Sequence, residues 1–196
     1  MFWLRWDDVE RVTRLGIQWL SLAADDPLAC HAAWSDNPRQ PYLLAAGRIF
    51  DVVVVEERVG LETFDQLRRR KLPLGPVMAD WASRQIGFFL PTRSEKKFAK
   101  LVVHESARNN SPVPAYRYLS HGGHVVAPGP MMLSGDRYEW LRAPGKRSKQ
   151  GYLRGSALAA MFVSASALLA CADRYSEENQ PAAEEQRAGE EVTHAG

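Results

Sequence analysis

The residues best suited to chemistry are two acids at the ends of an apolar run, Asp51 and Glu56 in Asp51-Val-Val-Val-Val-Glu56. In an extended strand only positions i and i+2 share a face, so acids five positions apart project to opposite sides. Each is a remnant catalytic acid or simply a polar residue closing a buried strand. The other acid pairs, Asp7-Asp8 and Asp25-Asp26, are adjacent and suit helix N-terminal charges. His121 and His124 flank Gly122-Gly123; two imidazoles fall short of a metal set, but they can touch a phosphate or a base, or serve only as turn side chains. Arg48, Arg84, Arg117, Arg137, Lys146 and Arg147, with Lys149 nearby, come from strand ends and loops, where cations contact phosphate. Among six tryptophans, Trp81 in Asp80-Trp-Ala-Ser-Arg84 is the one least suited to a core and the others suit packing. Cys30-His31 has no second ligand pair at zinc spacing. No phosphate-cradling glycine loop, Gly-x-Ser-x-Gly elbow or HExxH helix is present. No catalytic residue beyond these remnants and no metal set is assigned.

The elements that must position these groups follow from periodicity. Trp6, Val9, Val12, Leu15 and Trp19 share a helical face and predict a helix over 4–22. Asp25-Asp26-Pro27 is an acidic cap followed by a first-turn proline and starts a second helix, which carries Leu28, Ala32, Ala33 and Trp34. Tyr42–Ala45 and Ile49–Val55 read as strands around Gly47, the second apolar throughout and therefore central and covered on both faces. Gly60–Lys71 is an amphipathic helix ending in cations that suit the helix dipole. Gly75–Ala79 and Gln85–Leu90 read as strands, and Ser94–Ala107 as a helix. Tyr116–Leu119, the Gly122-Gly123 turn and His124–Ala127 read as a hairpin, stopped by Pro128 and Pro130, with another strand from Arg137 to Leu141.

Composition sets the frame. A chain of 196 residues, 45% apolar, builds one domain with a substantial core. Seven acids and two arginines between Asp173 and Gly196 leave that tail at −5 and the remaining body at +7, for a net charge of +2. A basic body with an acidic tail is compatible with a polyanionic partner, or with an ordinary basic domain and a solvated tail. Two cysteines make no disulfide framework, so a reducing, cytoplasmic setting is expected. Gly155–Ala172 is uncharged but short and rich in Ala and Ser, so a buried helix is expected rather than a membrane span. The expected organisation is one domain over 1–175, with an N-terminal helix within 1–24 and an Ala-rich helix over 155–175, then an acidic disordered tail over 176–196.

The order Gly122-Gly-x-Val-Val-Ala-Pro128 then Gly135-x-x-Tyr-x-Trp140 resembles the closing strands of the bifunctional DNA primase/polymerase N-terminal (prim-pol) domain, in the archaeo-eukaryotic primase superfamily. Ahead of them Trp34, the Pro41–Leu61 strand–Gly–strand unit, Gly75-Pro-Val77 and Phe88-Phe-Leu90 come in the family's order, so the likeness spans about Asp26 to Leu141. It implies an α+β fold with a mixed, largely antiparallel sheet and packed helices. It also implies nucleotide polymerisation with two divalent ions held by carboxylates. Counting back from Gly60, the family's Asp-x-Asp pair falls on Val54 and Glu56, its histidine near Gly87, and its third carboxylate near Arg117. A guanidinium there repels a cation.

Three readings stay open. The chain is a prim-pol scaffold that binds nucleic acid or nucleotides without catalysis; or an active primase/polymerase, with Mg²⁺ or Mn²⁺ on a shifted site using Asp51 or Glu56; or a protein-interaction module without nucleic acid. No other cofactor is implied, and no residue names a protein partner or an oligomeric state.

Overall fold

Four consecutive valines organise the architecture. In the computed structural model, which describes residues 12–145 and 154–193 with side chains placed for 12–145 and 154–179, they form the centre of strand β2 (Asp51–Glu56). Val53 and Val55 enter one apolar core, while Val52 and Val54 enter another on the opposite face of the sheet. Strand alternation sorts side chains between two layers in this way, and it bears out the expectation of a strand covered on both sides.

The sheet has five strands in the order β5 (Arg117–Leu119), β2, β4 (Gln85–Leu90), β3 (Val77–Asp80), β7 (Tyr138–Arg142). Every pairing is antiparallel, and the class is α+β. On one face lie α3 (Glu57–Arg69), α4 (Glu95–Arg108) and the start of α5 (Gly155–Thr193); Phe64, Phe98, Leu158 and Phe162 fill the layer beneath them. On the other face lie α1 (Arg14–Ser21), α2 (Pro27–Asp36) and a separate ribbon of β1 (Tyr42–Ala45) with β6 (His124–Ala127). Leu20, Trp34, Phe50, Phe89 and Trp140 fill that second layer.

Local chemistry explains most element ends. The Asp26 carboxylate accepts from Leu28 N and Ala29 N at 2.9 and 3.0 Å, so α2 starts where the acid–proline pair said it would. Its Cys30 and Trp34 are buried, while Leu28 faces out.

Four expectations change. Thr13 caps α1 through its hydroxyl, accepting from Gly16 N at 3.2 Å, so the first helix does not run unbroken through Val12 and Thr13; residues 1–11 lie outside the described residues. The strands around Gly122-Gly123 exist, and Gly122 has φ +84°, but they are not a hairpin. β5 joins β2, whereas β6 crosses to β1, because Val125 and Ala127 bury into the second layer. Trp81 packs partly buried against the helical layer and donates its indole N–H to Glu139 at 2.8 Å. Helix α5 continues to Thr193, through the segment read as disordered from 176. Gly155–Asn179 is long and apolar enough to cross a membrane by length and composition. Leu158, Ala159, Phe162, Val163 and Ala165 within it are buried in the domain, as expected of a packed helix.

Candidate functional site

Between the five-stranded sheet and the β1–β6 ribbon lies a cleft of about 280 Å³. Its floor comes from strand register. Val54 stands opposite Gly87 on β4 and opposite Arg117 on β5, and Gly87 stands opposite Met78 on β3. Cross-strand partners share a face, so the positions at which the resemblance places a carboxylate, a histidine and a second carboxylate do meet. They hold a valine, a glycine and an arginine. A Cβ added at Gly87 would stand 3.1 Å from Met78 Cγ, so the thioether covers this part of the floor.

The neighbouring row, Glu56–Gln85–Asp80–Tyr138, faces the same way. Glu56 lies on the cleft side but turns back as the cap of α3, accepting from Val59 N at 3.1 Å, with Arg84 4.0 Å away. Asp80 accepts from Arg137 Nε and Nη2 at 3.0 and 3.2 Å and from Ser83 N at 3.2 Å. Arg117 donates to Gln85 Oε1 at 3.1 Å and makes no ion pair among the described residues. His124 completes the ribbon wall.

The other candidates part company. Asp51 lies on the helical side of β2, fully buried. One of its oxygens accepts from Tyr118 Oη at 2.9 Å and Ser94 N at 3.3 Å, while the other is buried without a partner. It ties β5 and the start of α4 to β2. Burial first, then the Asp51 hydrogen bond, pushes the Tyr118 phenol far above its ordinary pKa. Arg48 donates to Ala24 O and pairs with Asp25, both at 2.6 Å, away from the cleft. Arg84 pairs with Glu57 at 3.1 Å. Arg137, besides gripping Asp80, lies over the Tyr138 ring at 4.8 Å. His121 is exposed in the turn before β6 and does not line the cleft. Lys146 and Arg147 lie outside the described residues. Sequence reasoning missed Asp80, Gln85 and Tyr138, because the β2–β4, β3–β4 and β3–β7 pairings carry them to the cleft and no local pattern announces those pairings.

Asp80 gives a pH handle. Burial pushes its carboxyl up, but the hydrogen bonds from Arg137 and Ser83 together outweigh that and hold it below the usual carboxylate value. A depressed native pKa favours the ionised folded form. Its stabilisation is therefore present above about pH 4 and fades as pH falls through the lower native value. Arg137→Ala is expected to raise the Asp80 titration, read by side-chain carboxyl NMR; an unmoved midpoint would show that Ser83 alone sets it.

A two-ion clamp needs several carboxylates converging on one point. Here Asp80 is held by Arg137, Glu56 caps a helix, Asp51 is behind the sheet, and Arg117 stands in the floor. Among the described residues no three His, Cys, Asp or Glu side chains are placed to hold an ion. The donor set does not fit such a clamp.

No curated protein and no solved structure matches the chain. Residues 12–154 match the family model of the bifunctional DNA primase/polymerase N-terminal domain, Prim-Pol. That span takes in the five-stranded sheet, the β1–β6 ribbon and the cleft between them, and the chain belongs to the Prim-Pol family, with a function related to DNA primases and polymerases.

Proposed function

We propose that this Prim-Pol chain binds a nucleotide or a nucleic-acid strand in the cleft through side-chain cations and does not polymerise. One observation carries the reading: the register that sets Val54, Gly87 and Arg117 side by side. Adjacent strands are about 4.8 Å apart, so a guanidinium projects into the space two divalent ions would need, and like charges repel there. The same guanidinium suits phosphate. Gln85 engages one arm of Arg117, leaving the other N–H groups of a planar fork to donate in pairs to phosphate oxygens. His124 faces it from the ribbon, and the Arg137–Tyr138 stack offers a flat surface at the rim.

The test is a titration with a short labelled single strand at two salt concentrations, with and without Mn²⁺. Binding is expected to weaken with salt and to ignore the metal. Arg117→Glu should weaken it by about ten- to a hundredfold, the size of a charged hydrogen bond worth about 1.5–3 kcal/mol. Metal-dependent nucleotide incorporation that disappears in Glu56→Ala would overturn the proposal in favour of a working polymerase. Absence of binding at low salt would remove nucleic acid from the picture.

A further inference from the structure

Several arginines of the chain are neutralised. Arg39, Arg48, Arg58, Arg69, Arg84 and Arg137 each pair with a carboxylate. The outer face of α4 gathers cations that have no such partner. Lys96, Lys97 and Lys100, with Leu101 and His104, line a shallow groove of about 700 Å³. The three lysines are exposed, as is Arg93 just before the helix. None of the four makes an ion pair among the described residues. The acids of α4 are engaged elsewhere: Glu95 accepts from the Ser120 hydroxyl at 3.0 Å, and Glu105 pairs with Arg108 at 3.3 Å and His104 at 3.5 Å. Phe98, Val102 and Ser106 hold the helix's inner face in the core. The ridge is therefore a fixed row of uncompensated charge, on the side of the sheet away from the cleft.

We propose that this ridge is a second nucleic-acid contact, a sequence-independent grip by Arg93, Lys96, Lys97 and Lys100 on the phosphate backbone of duplex DNA. Positions 96, 100 and 104 rise about 6 Å apart along a helix, a spacing suited to successive phosphate contacts. Single strands are held largely by aromatic stacking, yet Phe98 of α4 is 1% exposed, which leaves the His104 imidazole as the one ring of the helix beside the groove. A duplex presents a charge every ~1.7 Å of axis, twice the density of one strand, which favours it on a ridge where cations outnumber stacking rings. The contact is independent of the cleft and stands whether or not the cleft binds.

The test uses the full chain and a labelled 20-base-pair duplex of arbitrary sequence, titrated across salt, a length of about two helical turns. Each phosphate neutralised contributes about −0.9 to the slope of log affinity against log salt, so the wild type should give about −3 to −4. Lys96→Gln, Lys97→Gln and Lys100→Gln together should flatten the slope by about 3 and weaken binding at least tenfold at low salt. A charge-matched control at the end of α3, Arg68→Gln, Arg70→Gln and Lys71→Gln, should keep the slope. Exposed lysines carry little stability, and circular dichroism checks that each variant is folded. Equal losses in both variants would reduce the effect to net charge and overturn the proposal, as would a wild-type slope in the ridge variant. A ridge variant that loses salt-sensitive self-association in sedimentation, with duplex binding unchanged, would assign the ridge to the acidic helix end of a second copy.

Discussion

Phe89→Ala is expected to lower the unfolding free energy by about 3–5 kcal/mol, and the melting temperature by on the order of 10 °C for a domain of this size. Phe89 is fully buried and is the hub of an aromatic cluster. Its ring lies 4.8 Å from Phe50, 5.6 Å from Trp140 and 6.4 Å from Trp19, all tilted or edge-on, the geometry in which ring quadrupoles attract. Trp19 belongs to α1 and Trp140 to β7, so removing the hub opens a void under the layer that also carries the β1–β6 wall. Rings fixed from several elements cannot collapse into the space. Thermal unfolding of the variant measures this directly. A loss under about 1.5 kcal/mol, the level of a volume-conserving swap, would show that the cluster repacks and is not the anchor described.

Gly47→Ala should be nearly as damaging for a different reason. Gly47 has φ +83°, which costs a side-chain-bearing residue about 1–2 kcal/mol. A Cβ there would also stand 2.4 Å from His121 N and 2.6 Å from His121 Cα. These are backbone atoms of the neighbouring turn, which has no free end to swing away, so about 1–3 kcal/mol of overpacking adds to the conformational term. Gly122 supplies the internal comparison: its φ is +84° but its Cβ position is open. Gly122→Ala should therefore cost only the conformational part. Urea midpoints for the two variants should differ clearly, and coincident midpoints would show that the turns at 47 and 121 are not locked together.

What the sequence could announce was mostly local. Asp26-Pro27 marked a helix start because the cap and the first-turn proline act within three residues. Val52–Val55 marked a central strand because doubly covered strands are continuously apolar. Gln85–Leu90 has the bounds read from its pattern. Pairing between distant strands has no such signature. Tyr116–Leu119 and His124–Ala127 looked like a hairpin because a glycine turn joins them, yet burial of Val125 and Ala127 sends the second strand to another sheet. Helix α1 looked longer because the apolar period carries no record of the Thr13 cap. The cleft was half legible. Resemblance pointed to positions 54, 56, 87 and 117, and the register brings Val54, Gly87 and Arg117 into one row, with Glu56 two residues along the same face. Gln85 arrives from β4, Asp80 from β3 and Tyr138 from β7, an alignment that only the assembled sheet reveals.

The partition made by β2 has a wider consequence. Positions 54, 87 and 117 lie on the cleft face, with Val54 also part of the second core, while their neighbours at 53, 86 and 118 serve the helical side. One row thus answers to two demands, since Val54 closes an apolar layer while Arg117 meets solvent. Exchange at the exposed end of that row leaves the body of the molecule unmoved, whereas exchange at Val54 is felt on both accounts.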